Sequence, residues 1–150
     1  MLVGVPKEIK NHEYRVGATP AGAKEIINSG SEVVLEAGAG TQIGFSDQQY
    51  IDVGAKIVDS ATEVYQNADM ILKVKEPQAS ECQMIREDQV VFSYLHLAAE
   101  KELTEMLVES KSVAIAFETV TDSNGGLPLL APMSEYSNII SFKLYFTSFF

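Results

Sequence analysis

Lys73, Lys75 and His96 are the residues whose types and spacing point most directly to chemistry. The two lysines close the run Met70-Ile71-Leu72-Lys73-Val74-Lys75-Glu76-Pro77. From Met70 to Val74 this reads as a strand buried between helices, and Pro77 stops further pairing. Being two apart, the lysines point to one face of that strand. The next predicted strand, Gln89 to Tyr94, ends just before His96. In an open α/β sheet ligands bind in the crevice beyond the carboxyl ends of the strands, so lysine and histidine would converge on one rim. A cationic amine beside an imidazole suits a small anionic substrate with a proton to exchange. The plainer alternative is a solvated lysine pair and an isolated surface histidine.

The elements that must position these residues alternate along the chain. Leu2–Val5 reads as the first strand, Glu32–Glu36 as the second and Lys56–Val58 as a short third. Thr19-Pro20 offers an N-cap with proline at the first helical position, and Gly30 closes that helix after Ser29. Three later helices open on serine followed three residues on by Gln or Glu: Ser46/Gln49, Ser60/Glu63 and Ser80/Gln83. After His96 a helix spans about Glu100–Ser110, and Val113–Phe117 follows as a strand. This rhythm predicts an α/β fold, a mostly parallel, Rossmann-like sheet with helices on both faces.

Composition narrows the function. With 150 residues the chain is long enough for one sizeable core. A net charge of -10 argues against nucleic acid as a partner, which needs a basic face. Cys82 is the single cysteine, which fits a reducing, cytoplasmic compartment. The start is strand-like and lacks the basic head and apolar run of a signal peptide, and no run approaches the ~20 apolar residues of a membrane helix.

Two stretches qualify the picture. Gly38-Ala39-Gly40-Thr41-Gln42-Ile43-Gly44 follows a strand and precedes a helix, as a dinucleotide loop would. Its spacing is GxGxxxG, not the GxGxxG that brings backbone amides to a pyrophosphate, and only Asp59 approaches the place of a ribose-binding acid. A structural turn is the better reading. From Tyr136 to Phe150 the chain becomes aromatic and almost uncharged, with no cap and no clear period. That tail is not expected to continue the fold.

A series of motifs then points to a family. Val5-Pro6-Lys7-Glu8-Ile9-Lys10, Glu13-Tyr14-Arg15-Val16 and Thr19-Pro20 are followed by Glu36-Ala37-Gly38-Ala39-Gly40 and Lys73-Val74-Lys75-Glu76-Pro77. Tyr94-Leu95-His96-Leu97-Ala98 and Leu130-Ala131-Pro132-Met133-Ser134-Glu135 complete it. Over residues 1–135 this resembles the amino-terminal substrate domain of alanine dehydrogenases, whose wider family includes the alpha subunit of nicotinamide nucleotide transhydrogenase. The resemblance implies reversible conversion of L-alanine, NAD and water to pyruvate, ammonium and NADH. It implies that Arg15 grips the substrate carboxylate with its planar fork, and that Lys75 holds the carboxylate and carbonyl region. His96 would be the general acid/base, and Ser134 would contact the cofactor. Without the family, Arg15 reads equally as an ion-pair partner of Glu8 or Glu13. Lys75 and His96 separate the dehydrogenases from transhydrogenase subunits, which do not normally carry them.

The resemblance also implies a homo-oligomer, and an NAD-binding domain that would lie beyond this stretch. On that expectation the chain is an incomplete enzyme, inactive alone, with residues 136–150 a frameshift read-through. The competing reading is a non-catalytic carboxylate-binding module, or a partner for a separate NAD-binding chain.

Overall fold

The computed structural model describes residues 1–131. Six parallel strands form one sheet: β1 (Leu2–Val5), β2 (Glu32–Glu36), β3 (Lys56–Val58), β4 (Met70–Leu72), β5 (Val90–Ser93) and β6 (Val113–Ala116). Their order is β3-β2-β1-β4-β5-β6, the doubly wound arrangement. The chain winds outward from β1 to β3, returns, and winds the other way from β4 to β6. The boundary between β1 and β4 is therefore the switch point, where connecting loops diverge and leave a crevice at the carboxyl edge.

Helices cover both faces, because alternate residues of each strand are apolar in both directions. Against one face Val3, Val5, Val33, Leu35 and Leu72 pack with Ala23 and Ile26 of α1 (Pro20–Asn28) and Tyr50 of α2 (Asp47–Asp52). Against the other, Ile71 and Val91 meet Val64 and Tyr65 of α3 (Ala61–Asn67), Cys82 of α4 (Ala79–Cys82), and Leu103 and Leu107 of α5 (Lys101–Ser110). Ile71 and Leu72 are adjacent and fully buried on opposite faces, as the pleat requires.

The caps follow the sequence closely at three helices. Thr19 Oγ1 accepts from the Gly22 amide, and Pro20 opens α1. The Ser46 amide donates to Gln49 Oε1 at 2.8 Å, and Ser60 Oγ accepts from the Glu63 amide. The fourth departs from expectation. Helix α4 is capped by Gln78, whose amide donates to Glu81 Oε2, so the box is Gln78/Glu81 and Ser80 lies inside the first turn. Glutamate at the third helical position is the better acceptor for an orphan amide than Gln83 would be two residues later.

Strand ends also shift. The regular part of β4 stops at Leu72, although the Lys73 amide still donates to Phe92 O and the Tyr94 amide to Val74 O. Phe117 leaves β6 for a short 3-10 turn, Phe117–Thr119, with its ring at 4.3 Å centroid distance from Phe92. The glycine loop is a structural turn: Gly38 and Gly44 adopt left-handed φ of 73° and 89°, and the Gly38 amide donates to Asp47 Oδ1.

Candidate functional site

Arg15 lies on the long loop after β1, Lys75 just beyond β4 and His96 just beyond β5. All three therefore stand at the carboxyl edge of neighbouring strands. The loop after β1 reaches β4 because Gly17 has no side chain: a Cβ there would lie 2.4 Å from Leu72 O. Glu36 Oε2 at the end of β2 accepts from the Lys7 amide and ties down the start of that loop.

Arg15 is gripped by Glu13. Its Nε donates to Glu13 Oε1 at 2.8 Å and its Nη2 to Glu13 Oε2 at 2.6 Å, a bidentate pair that fixes the guanidinium plane. Burial pushes the Glu13 carboxyl up, but the hydrogen bonds and charge of Arg15, aided by Lys75, outweigh it and hold it below the usual carboxylate range. The ion-pair reading of Arg15 is thus observed. It is compatible with a binding role, because a paired guanidinium is also an oriented one.

The two lysines have different surroundings. Lys73 is 1% exposed, and its Nζ sits 3.1 Å from Glu8 Oε2 and 2.8 Å from Glu81 Oε1. Tyr65 donates its hydroxyl to the same Glu81 oxygen. This is a closed cluster, so Lys73 is not part of a solvated pair at the rim. Burial pushes the Glu8 carboxyl up against the pull of the Lys73 charge and the Val74 amide. Lys75 is half-buried, and its charge acts on both Glu13 and Glu76. Its backbone is placed by Glu8, whose Oε1 accepts from the Val74 amide at 2.6 Å and the Lys75 amide at 3.4 Å.

His96 is exposed, with a left-handed φ of 50°. Its ring stacks on Tyr94, 6.1 Å between centroids at 13°. Tyr94 is buried, feels the charge of Arg15, and donates its hydroxyl to Leu129 O. Glu118 Oε1 accepts from the His96 amide at 2.6 Å and the Leu95 amide at 3.1 Å. Tyr94 thus joins Arg15 to His96, and Glu13 feels both Arg15 and Lys75. A small cleft is lined by Lys7, Glu8, Glu13, Arg15, Ala39 and Gln42 among others, and Lys75 and His96 are not among its walls.

Sequence reasoning offered Glu13 as an ion-pair partner of Arg15, but missed Tyr94, Glu118 and the tie of Glu8 to Lys73. One signal was available: a lysine inside the apolar run Met70–Val74 requires a buried partner, and Glu8 and Glu81 supply it. Ser134 and the stretch 136–150 lie outside the described residues. The glycine loop Gly38–Gly44 does not fit the pyrophosphate of NAD: the Gly38 amide that would face a phosphate is taken by the Asp47 carboxylate, and Phe45 and Tyr50 crowd Gly40. Among the described residues there is no group of three His, Cys, Asp or Glu that would hold a metal, and no helix long and apolar enough to cross a membrane.

Comparison with known proteins agrees with this fold. Residues 4–137 match the family model "Alanine dehydrogenase/PNT, N-terminal domain". An alanine dehydrogenase of Halomonas elongata is 51% identical over 134 residues, covering 89% of this chain and 36% of that protein. A solved L-alanine dehydrogenase superposes with a TM-score of 0.85 at 48% identity over 89% of this chain and 37% of its own. A transhydrogenase from Sinorhizobium meliloti superposes at 0.77 with 28% identity, over 83% of this chain and 35% of its own. The chain thus spans little more than a third of the length of these relatives. Through the domain that fills nearly all of it, the chain belongs to the alanine dehydrogenase/PNT N-terminal domain family.

Proposed function

We propose that this chain is the substrate-holding part of an alanine dehydrogenase, the NAD-dependent oxidoreductase that interconverts L-alanine with pyruvate and ammonium. The observation that supports the reading is that Arg15, Lys75 and His96 each follow the carboxyl end of one of the three neighbouring strands β1, β4 and β5, beside the switch point. Arg15, oriented by Glu13, pairs with the substrate carboxylate. Lys75 places positive charge beside the carbonyl oxygen, where negative charge develops as ammonia adds to the carbonyl carbon of pyruvate or leaves it. His96 exchanges the proton, its ring held on Tyr94. The higher identity to an alanine dehydrogenase, 48% against 28% for the transhydrogenase, favours this branch over the other.

Hydride in that reaction goes to NAD, whose pyrophosphate the glycine loop does not fit, so the role proposed for this chain stops at carboxylate binding and proton transfer. Near-attack positioning of the nicotinamide accounts for roughly 7–11 kcal/mol of barrier lowering in such reactions. Purified chain with L-alanine and NAD at alkaline pH is therefore expected to form no NADH, while pyruvate binds measurably by calorimetry. Turnover that disappears in Lys75→Ala or His96→Ala would show instead that the chain is a complete catalyst. Unchanged pyruvate binding in both variants would remove the site assignment. A reducing cytoplasmic location accords with Cys82, which is buried and unpaired.

A further inference from the structure

We infer that Glu118 is a positioning residue: its carboxylate holds the backbone of His96 in the left-handed conformation that presents the imidazole at the rim. Each of the three site residues has its own backbone amide held by a glutamate. Glu13 Oε1 accepts from Arg15, Glu8 Oε1 from Lys75 and Glu118 Oε1 from His96. The His96 contact is the shortest, at 2.6 Å, and Glu118 adds the Leu95 amide at 3.1 Å. Two successive amides pointing at one carboxylate form a clamp, and charge-assisted bonds of this kind are about twice as strong as neutral ones.

The clamp sits where the backbone needs one. A φ of 50° is uncommon for a side chain with a Cβ and persists only where its surroundings determine it. At Leu95 the chain leaves β5, and at His96 it turns into the 3-10 turn Leu97–Ala99. Among the described residues no strand partner takes these two amides, and Glu118 does so from the turn that follows β6, the neighbour of β5. The histidine is therefore set from the adjacent strand, through its main chain, while its ring rests on Tyr94. Released from the clamp, His96 would relax toward negative φ, and its ring would leave the face of Tyr94.

The test separates reach from charge in the 150-residue chain. Glu118→Asp keeps the charge but is one methylene short of the amides. Glu118→Gln keeps the reach and the acceptor. The conformational readout is the intense intraresidue Hα–HN nuclear Overhauser effect that marks a positive φ. It is expected at His96 in the wild type and in Glu118→Gln, and lost in Glu118→Asp, where the His96 amide proton also moves upfield. A Glu118→Asp chain that keeps both signals overturns the inference.

The functional arm rests on the proposed carboxylate site and uses pyruvate as the probe. Glu118→Asp is expected to weaken pyruvate about tenfold, the size of one charge-assisted hydrogen bond, and Glu118→Gln to restore it. In the double variant with His96→Ala, Glu118→Asp should add nothing to the loss already caused by His96→Ala. Additive losses would show that Glu118 acts elsewhere and overturn the positioning role. A wild-type chain that does not bind pyruvate would sink the carboxylate-site reading alone, with the conformational readout still deciding the role of Glu118.

Discussion

Lys73 and Lys75 stand two residues apart and belong to two different regions of the molecule. Lys73 lies in a sealed cluster beneath the carboxyl edge, between Glu8 and Glu81, with Tyr65 completing the hydrogen bonds. Lys75 lies above it on an open rim with Arg15 and His96. Both regions are built from the same materials, a cation among glutamates. They differ in solvent access. In the cluster one buried ammonium faces two buried carboxylates, all shielded from solvent, so its contribution is to hold the loop after β1 against the end of β4. At the rim the Arg15 guanidinium is oriented by Glu13 and the Lys75 backbone by Glu8, and both residues are only half-buried. Under the proposed function, that exposure and not residue type is what would let the rim meet a substrate. Glu8 connects the regions, with one oxygen on the Lys73 ammonium and the other on the Val74 and Lys75 amides.

The comparison breaks most visibly at Lys73. Lys73→Met leaves two buried carboxylates without their cation, and loss of one partner from a buried pair costs about 3–5 kcal/mol. At about 2–4 °C per kcal/mol for a chain of this size, the melting temperature should fall by roughly 6–20 °C. A fall below ~2 °C would mean that the cluster is hydrated and not sealed.

Next in size is the seam between the regions. Gly17→Ala would drive a Cβ to 2.4 Å from Leu72 O, against backbone that cannot swing aside. Overpacking of this kind costs about 1–3 kcal/mol. Because the loop carrying Arg15 must move to relieve it, pyruvate affinity should fall together with stability. Destabilisation with intact affinity would show that the loop adjusts without moving Arg15.

What was legible in the sequence follows the same division. Strand alternation and helix caps are local, so β1, β2 and β3 stand where the apolar runs place them, and α1 starts on Thr19-Pro20. The placement of Arg15, Lys75 and His96 just beyond strand ends was legible because a parallel sheet exposes its carboxyl edge regardless of detail. The partition of the lysines was not, because spacing assigns a face and burial depends on Glu8 and Glu81, distant in the chain. Glu118 was hidden for a related reason: it acts on backbone amides of a neighbouring strand's end, and main-chain donors leave no mark in a sequence. The Gln78/Glu81 box was missed because Ser80 offered a similar pattern two residues further on.

The regions should also respond to acid with opposite signs. The Glu13 carboxyl is held below the ordinary value of 4.5 in the folded chain. Its contribution to stability is present above that value and lost as pH falls through the folded one. The Glu8 carboxyl is raised by burial, so its contribution is present below 4.5 and lost as pH rises through its folded value. Melting curves between pH 3 and 6 in Glu13→Gln should therefore lose part of the acid-side decline. Glu8→Gln should lose the opposing part and steepen the net decline. The expected differences are a few degrees, smaller than those at Lys73 or Gly17. Identical pH slopes in the two variants would erase the distinction between the Glu8 and Glu13 carboxylates.

The smallest expected change in stability carries the sharpest test of the rim. Lys75 is half-buried, and its charge reaches Glu13 and Glu76 across partly solvated space. Glu76 is itself paired with Lys10, and Glu13 with Arg15, so removing Lys75 leaves neither carboxylate without a cation. Lys75→Ala should accordingly change stability by no more than about 0.5 kcal/mol, the range of substitutions away from buried networks. Pyruvate should nonetheless bind at least about tenfold more weakly, since a charge-assisted hydrogen bond to its carboxylate is gone. Lys73→Met, in contrast, should lose affinity only in proportion to the fraction unfolded. Calorimetric titration of both variants at one temperature, with the folded fraction measured by circular dichroism, separates the cases. If Lys75→Ala lost stability and kept its affinity, Lys75 would belong with Lys73 as a structural cation, and the rim would be left with Arg15 and His96.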